Sequence, residues 1–481
     1  MEIGINLNKF RDWSPEFWVN DFFKQSRGWL EKDLNLTISG WVRSLKPGQT
    51  ATTLLFSPQL SGEKLDYPKG PYNVYFRGNG TFKWSDNIKV LKSARGYQLI
   101  ELLEASGDGI YLTLESTNPN NYLKDIKIRS TQPSDRSVFY KPFLNSLNND
   151  GFGNSKGFKT IRFLFLNPAY NNLPQAHLFY KNLPKTTDAF WTSKGPPVEG
   201  PPLDMMISLC NTLNANPWFC IPHMATDSFV RVFAKRIKDK LNPNLKVYIE
   251  HANEVWNPGF EFNDYSIKQG LKIKFSTDPF EAGLRYHAWK SVRIFNEFER
   301  IFADNSRLVR VLAGQTGVTD TYTIPLSFRD TAEHCDILAT GAYIGYELRS
   351  PEMAEVVSSW GLDQLFEATD ALLTRLKIDT DIVNNVAKQY KLPLVAYEGG
   401  QHLHNGSNKM VNDLFSRAQH DPRMGDLITS ILKMWNKSNL GLFCYAYSCS
   451  DKAGHWGLLE NLDNLNTVKY QALQKFVRED L

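Results

Sequence analysis

Lys246-Val247-Tyr248-Ile249-Glu250-His251-Ala252-Asn253-Glu254-Val255-Trp256-Asn257 begins as an apolar, β-branched run and then turns abruptly polar. The first half reads as a buried strand, and Asn253 and Glu254 stand side by side where that strand should end. Leu392-Pro393-Leu394-Val395-Ala396-Tyr397-Glu398-Gly399-Gly400 repeats the pattern far downstream: a short apolar strand closing on a glutamate, then a glycine stop. In a (β/α)8 barrel the C-terminal strand ends form the reaction face, so a carboxylate at that point has a job available to it.

Working outward from these two stretches, the rest of the chain supplies the remaining strands. Glu2 to Leu7 reads as the first, Thr160 to Leu166 as the second and Trp218 to His223 as the third. The Lys246 stretch is the fourth, Leu308 to Gly314 the fifth and Ile337 to Tyr343 the sixth. The seventh ends at Glu398, and Gly441 to Tyr447 is the eighth. Helical patterns fall between them at Pro202–Ala215, Asp227–Leu241, Arg285–Phe302, Asp363–Tyr390 and Met410–Trp435, with a last one at Thr467–Val477. Eight strands alternating with helices are what a closed parallel barrel requires. A doubly wound sheet shows the same alternation, but no glycine-rich turn follows the first strand as a dinucleotide fold would want.

Between about Leu34 and Ser130 the rhythm changes. Thr52–Phe56, Tyr72–Phe76, Tyr97–Glu104, Ile110–Glu115 and Leu123–Ile128 read as short strands, with hairpin-type turns such as Asn79-Gly80 and Asp108-Gly109 between them. This spacing predicts a small antiparallel β-sandwich. The expected organisation is therefore residues 1–33 as the first barrel strand and its following segment, 34–130 as an inserted sandwich and 131–481 as the remainder of the barrel. The sandwich reads either as a carbohydrate-binding module or as a structural brace.

Composition narrows the function classes. The chain has 481 residues, 42% hydrophobic and 22% charged, which is the profile of an ordinary globular protein. A net charge of +4 without a basic block gives no footprint for nucleic acid. Aromatics make up 13%, including 12 Trp, and aromatic faces can cover the C–H face of a pyranose. The five cysteines, Cys210, Cys220, Cys335, Cys444 and Cys449, lack paired metal spacing and read as buried thiols. His402-Leu403-His404 has no third ligand nearby and reads as a solvated loop, so neither a metal nor a cofactor is expected. No apolar run reaches membrane-spanning length, and Met1-Glu2-Ile3-Gly4 opens directly into a strand without secretory features. The reading favours an extracellular protein whose signal lies outside this sequence, with virion-associated or cytoplasmic placement as alternatives.

Asn253-Glu254-Val255-Trp256-Asn257, with Tyr397-Glu398-Gly399-Gly400 as its distant partner, resembles the clan A retaining glycoside hydrolases. Within that clan the chain is most similar to a bacterial group of cellulose-binding or polysaccharide-degrading proteins. The resemblance implies Glu254 as acid/base, Glu398 as nucleophile and Asn253 as the partner of the sugar 2-hydroxyl. The two carboxyls should then sit roughly 5–5.5 Å apart, with ionised Glu398 raising the pKa of Glu254 by like-charge repulsion. The resemblance also implies a place by the cleft for His223, as a partner of a sugar hydroxyl or of Asn253. Tyr343 would touch the nucleophile through its hydroxyl, as a tyrosine at the end of strand six often does in the clan.

Other candidates come from the residues themselves. Arg162 is unusual in an apolar strand, and a buried arginine needs a carboxylate, either Glu398 or an acid on another strand. Glu250 shares a strand face with Glu254 but lies roughly 13 Å away, deep in the barrel or at its far end. Trp456, Trp256 and Trp191 fall in loop-like segments where they could stack on sugar. Where the bacterial group carries an acidic and aromatic pair after the arginine, this chain has Leu164-Phe165-Leu166, so one substrate contact differs. The expected activity is cleavage of β-glycosidic bonds in a polysaccharide or oligosaccharide. Its rivals are a non-catalytic carbohydrate-binding protein and a virion- or surface-associated depolymerase component.

Overall fold

The computed structural model describes residues 1–56, 70–103, 109–131, 137–155, 157–164, 181, 183–192, 200–404, 408–450 and 455–480. Eight strands close a parallel barrel: β1 (Ile3–Asn6), β2 (Thr160–Phe163), β3 (Asn216–Ile221), β4 (Val247–His251), β5 (Leu308–Ala313), β6 (Ile337–Ile344), β7 (Leu394–Gln401) and β8 (Phe443–Tyr445). Closure is explicit at β1, where Gly4 lies opposite Thr160 of β2 on one side and Cys444 of β8 on the other. An open doubly wound sheet is thereby excluded. Gly4 is required by this crowding, since a Cβ there would stand 2.6 Å from the Cys444 sulfur and 3.0 Å from the Thr160 carbonyl oxygen.

Alternation along each strand sorts the apolar side chains into two layers. Trp218, Tyr248, Val311, Ala339, Val395 and Leu442 fill the barrel interior. Phe219, Ile249, Leu312, Leu338, Ala396 and Phe443 face the surrounding helices. The helices carry the start signals that sequence rules ask for. Thr226 caps Asp227–Lys240 through its side chain, and Asp278 caps Pro279–Phe302 with proline at the first helical turn.

Outside the barrel, one antiparallel sheet joins Lys124–Ser130, Gly70–Arg77, Tyr97–Leu102 and Ile88–Ala94 in that order. A second joins Ala51–Leu54, Tyr111–Thr117 and Gly80–Trp84. Their inner faces meet, with the Phe76 and Phe82 rings edge to face at 5.1 Å across the gap. This is the inserted β-sandwich. Phe22, in the segment after β1, reaches Phe56 and Tyr72 at 5.7 Å and Tyr140 at 5.4 Å, so sandwich and barrel share one apolar core. Such contacts, each worth about 0.5–1.5 kcal/mol beyond burial, favour a fixed attachment over a tethered one.

The structure corrects several boundaries. Gly399 and Gly400 do not stop β7, which runs on to Gln401. The expected helix Met410–Trp435 is two helices, Lys409–His420 and Pro422–Lys437, because Pro422 cannot continue the first and Asp421 caps the second. A helix at Glu261–Lys272 has no counterpart in the sequence reading, and the next begins at Pro279 instead of Arg285. Asn79-Gly80 is not a hairpin turn, since it hands the chain from one sheet of the sandwich to the other. Phe165, Leu166, Glu104 and Asp108 lie outside the described residues.

Candidate active site

The mouth of the barrel is built by two departures from regular strand geometry. At the end of β4, Glu250 points inward and His251 outward, where His251 Nδ1 meets His287 Nδ1 at 2.9 Å. The backbone then enters the left-handed region at Ala252 (φ 57°) and again at Glu254 (φ 49°). For side chains other than glycine this costs about 1–2 kcal/mol per residue, and it persists only where neighbours hold it. Here the Ala252 amide donates to the Ile221 carbonyl at 2.8 Å, and the Asn257 amide donates to the Glu254 carbonyl at 2.9 Å. The double bend turns both Asn253 and Glu254 toward the mouth.

On β7 the device is an extra residue in the ladder. Thr340 of β6 faces Ala396, but Gly341 faces Glu398, so Tyr397 is unmatched. Strict alternation would send Glu398 outward with Ala396. The slip instead lets consecutive side chains, Tyr397 and Glu398, both line the cavity.

Arg162 of β2 organises the floor. Its guanidinium donates to Glu250 through Nε at 3.1 Å and through Nη2 to both carboxylate oxygens, at 3.0 and 2.8 Å. Nη2 also donates to Asn253 Oδ1 at 2.7 Å, and Nη1 to Asn6 Oδ1 at 3.2 Å. Glu398 Oε2 stands further off, 3.9 Å from Nη1. Arginine's fixed fork suits such a hub, because each of its three nitrogens finds an oxygen. Asn253 is consequently pinned by its carbonyl oxygen, while its amide nitrogen makes no hydrogen bond among the described residues.

Above this floor lies a cavity of about 750 Å³ whose lining includes Asn253, Glu254, Tyr343, Tyr397, Glu398 and Trp456. Glu254 accepts hydrogen bonds from the Asn257 amide at 2.8 Å and the Tyr397 hydroxyl at 3.0 Å. Glu398 accepts none among the described residues. Burial, then the charge of Glu254, pushes the Glu398 carboxyl up to about 8, with Arg162 pulling the other way. Burial also raises Glu254, opposed first by its bonds from Asn257 and Tyr397. Like charges oppose each other here, and the hydrogen bonds favour the charge on Glu254 and the proton on Glu398. The like-charge repulsion expected from the sequence acts between the two glutamates, and the donors on Glu254 add a bias that the sequence does not show.

The other candidates divide. Tyr343 lines the cavity close enough to Glu398 for its charge, after burial, to drive the phenol well above its ordinary range, but no hydrogen bond joins them. Its ring packs instead edge-on to His402 at 5.3 Å. Trp256 and Trp456 line the cavity with indole N–H groups that have no hydrogen-bond partner among the described residues. Arg162 pairs primarily with Glu250, not with Glu398. His223 is set apart: it packs against Tyr265 at 5.0 Å and Phe262 at 5.9 Å, and burial lowers its pKa to about 4. Trp191 is buried against Phe10 at 5.9 Å, with its N–H on the Lys185 carbonyl, and does not line the cavity.

Residues that sequence reasoning missed include Asn257, Tyr397 and His402. Asn257 closes a motif already read, so its position was available. His402 is no solvated loop residue: it touches Trp456 at 5.1 Å and lines the cavity. Among the described residues no group of side chains could hold a metal ion.

No family model matches the sequence, and no curated protein is similar to it. Solved structures are similar at low identity. The GH51 arabinofuranosidase from Xanthomonas axonopodis pv. citri is 10% identical with a TM-score of 0.47, over 72% of this chain and 68% of that one. A modular endo-β-1,4-mannanase of glycoside hydrolase family 26 from Cellulomonas fimi is 9% identical (TM-score 0.38), over 67% of this chain and 63% of its own length. The endoglucanase Cel5A from the hyperthermophilic Thermotoga maritima is 12% identical (TM-score 0.36), over 68% and 89%.

Proposed function

We propose that the chain is a retaining glycoside hydrolase acting on a β-linked polysaccharide or oligosaccharide, with Glu398 as nucleophile and Glu254 as general acid and then base. One observation carries the reading: two buried carboxyls, Glu254 just past β4 and Glu398 on β7, line one sugar-sized cavity.

In the first step Glu254 gives its proton to the glycosidic oxygen as Glu398 attacks the anomeric carbon and the carbon–oxygen bond breaks. In the second, Glu254 takes a proton from water, the water oxygen bonds to the anomeric carbon, and Glu398 leaves as carboxylate. The proton must first shift from Glu398 to Glu254. A bound glycoside supplies the reason, since its bridging oxygen offers the protonated Glu254 an acceptor. Arg162 and the positive charge developing on the sugar then stabilise ionised Glu398. Asn253, held through its carbonyl by Arg162, presents a free amide to the sugar 2-hydroxyl.

The test is a panel of β-linked polysaccharides and aryl glycosides, read by released reducing ends and by NMR of the product anomer before mutarotation. Cleavage with retained configuration is expected, and an inverted first product sinks the mechanism. A second reading, carbohydrate binding without cleavage, is favoured by the Glu398 carboxyl, which burial and the charge of Glu254 push upward and which no hydrogen-bond donor among the described residues holds ionised, since a protonated acid is no nucleophile. Tight binding without any reducing-end release would decide for it.

A further inference from the structure

We infer that Tyr397 is a positioning residue for Glu254, fixing the orientation and charge that the carboxyl needs when it acts as a base; this rests on the acid/base role proposed for Glu254. Three independent features put it there. Alternation puts Tyr397 in the interior layer with Val395, immediately below the mouth, and the register slip between β6 and β7 turns Glu398 inward beside it. Its ring lies beside the Arg162 guanidinium, 5.0 Å from the ring centre, which leaves the phenol little freedom to swing. Its hydroxyl donates to Glu254 Oε1 at 3.0 Å while Asn257 holds Oε2 at 2.8 Å, so the carboxylate is gripped at both oxygens.

A donor on a carboxylate favours the ionised form. The contact that resists protonation of Glu254 therefore suits the second half of a double displacement, when Glu254 must take a proton from water. Other groups act on Glu254 too: Arg162 from β2 favours its charge, while Glu250 of β4 and Glu398 of β7 oppose it. Tyr343 of β6 and Tyr322 of the helix Asp320–Leu326 lie within reach of its field. Of all these, Tyr397 and Asn257 alone hydrogen-bond to it among the described residues.

The test is Tyr397→Phe, assayed with whichever 2,4-dinitrophenyl β-glycoside the wild-type protein hydrolyses. That leaving group needs no acid, so kcat reports the base-assisted second step and kcat/KM the first. Expected are a fall in kcat of about ten-fold, kcat/KM nearly unchanged, and recovery of kcat with azide, which attacks the glycosyl ester without a base and yields the β-glycosyl azide. Equal losses in kcat and kcat/KM without azide rescue would mean a merely structural role and overturn the inference. An independent readout is the carboxyl-carbon NMR titration of Glu254, whose apparent pKa should rise in Tyr397→Phe, and an unmoved titration also overturns it. If the wild-type protein cleaves no glycoside yet the titration moves, the enzymatic reading falls while the coupling of Tyr397 to Glu254 stands.

Discussion

Arg162 and Glu250 face each other inside the barrel with neither side chain more than 1% exposed, joined by three hydrogen bonds of 2.8–3.1 Å. Removing one member of such a pair leaves a buried charge with no adequate partner. Glu250→Leu should therefore lose about 3–5 kcal/mol of stability, since Glu398 at 3.9 Å is a poor substitute. Urea unfolding of Glu250→Leu, Arg162→Met and the double variant provides the check. The double variant should be more stable than either single one. A Glu250→Leu protein within about 1 kcal/mol of the parent would remove the pair from the account of the floor.

At the mouth, Glu254→Gln and Glu398→Gln should each cut turnover by about three orders of magnitude or more with far-UV dichroism unchanged. The amide keeps the shape of the acid but can neither donate a proton to the leaving oxygen nor form the ester. Near-parental activity in either variant would strip that residue of its proposed role.

Glu16 offers a test of stability against pH. Its buried carboxyl accepts hydrogen bonds from the Trp18 indole at 2.8 Å and from the Ser448 hydroxyl, and burial nevertheless pushes it up to about 8. A raised carboxyl favours folding below the unfolded-state pKa, and that contribution drains away as pH climbs toward the folded value. Between pH 4.5 and 8, stability should fall by up to about 1.4 kcal/mol per unit through this group. Glu16→Gln should flatten that slope in a series of denaturation midpoints. Identical slopes for the two proteins would show that the group does not titrate as described.

Gly78 tests the crossing between the two sandwich sheets. It sits at φ 90°, and a Cβ there would lie 2.0 Å from the Tyr122 carbonyl oxygen. Gly78→Ala should cost about 2–3 kcal/mol, seen as a lowered thermal midpoint. Because the sandwich core is continuous with that of the barrel, both should melt together, and an unchanged midpoint would contradict the crowding.

The barrel was legible in the sequence because buried parallel strands are written as short apolar runs, and Glu254 and Glu398 because they interrupt two of those runs. That Tyr397 and Glu398 both face the cavity was not, since a one-residue slip against β6 depends on a partner 57 positions away and leaves no local mark. The partner of Arg162 was hidden for a related reason: strand spacing puts Glu250 deep in the barrel, but only closure says that Arg162 meets it there. His223, placed by the cleft through the resemblance, and Trp191, read from a loop-like segment, do not line the cavity, because neither reading says which way a side chain turns. The break at Asp421-Pro422, by contrast, was readable as a cap followed by proline.

The double engagement of β1 bears on how the chain is made. Its two neighbours are β2, beyond the whole sandwich, and β8, the last barrel strand in chain order. On the ribosome the sandwich strands find one another from nearby sequence, whereas Ile3–Asn6 waits with an unsatisfied edge until Phe443–Tyr445 has left the exit tunnel. Release before that point strands an apolar ribbon, which makes late stalling, more than any early pause, the hazardous moment of biosynthesis.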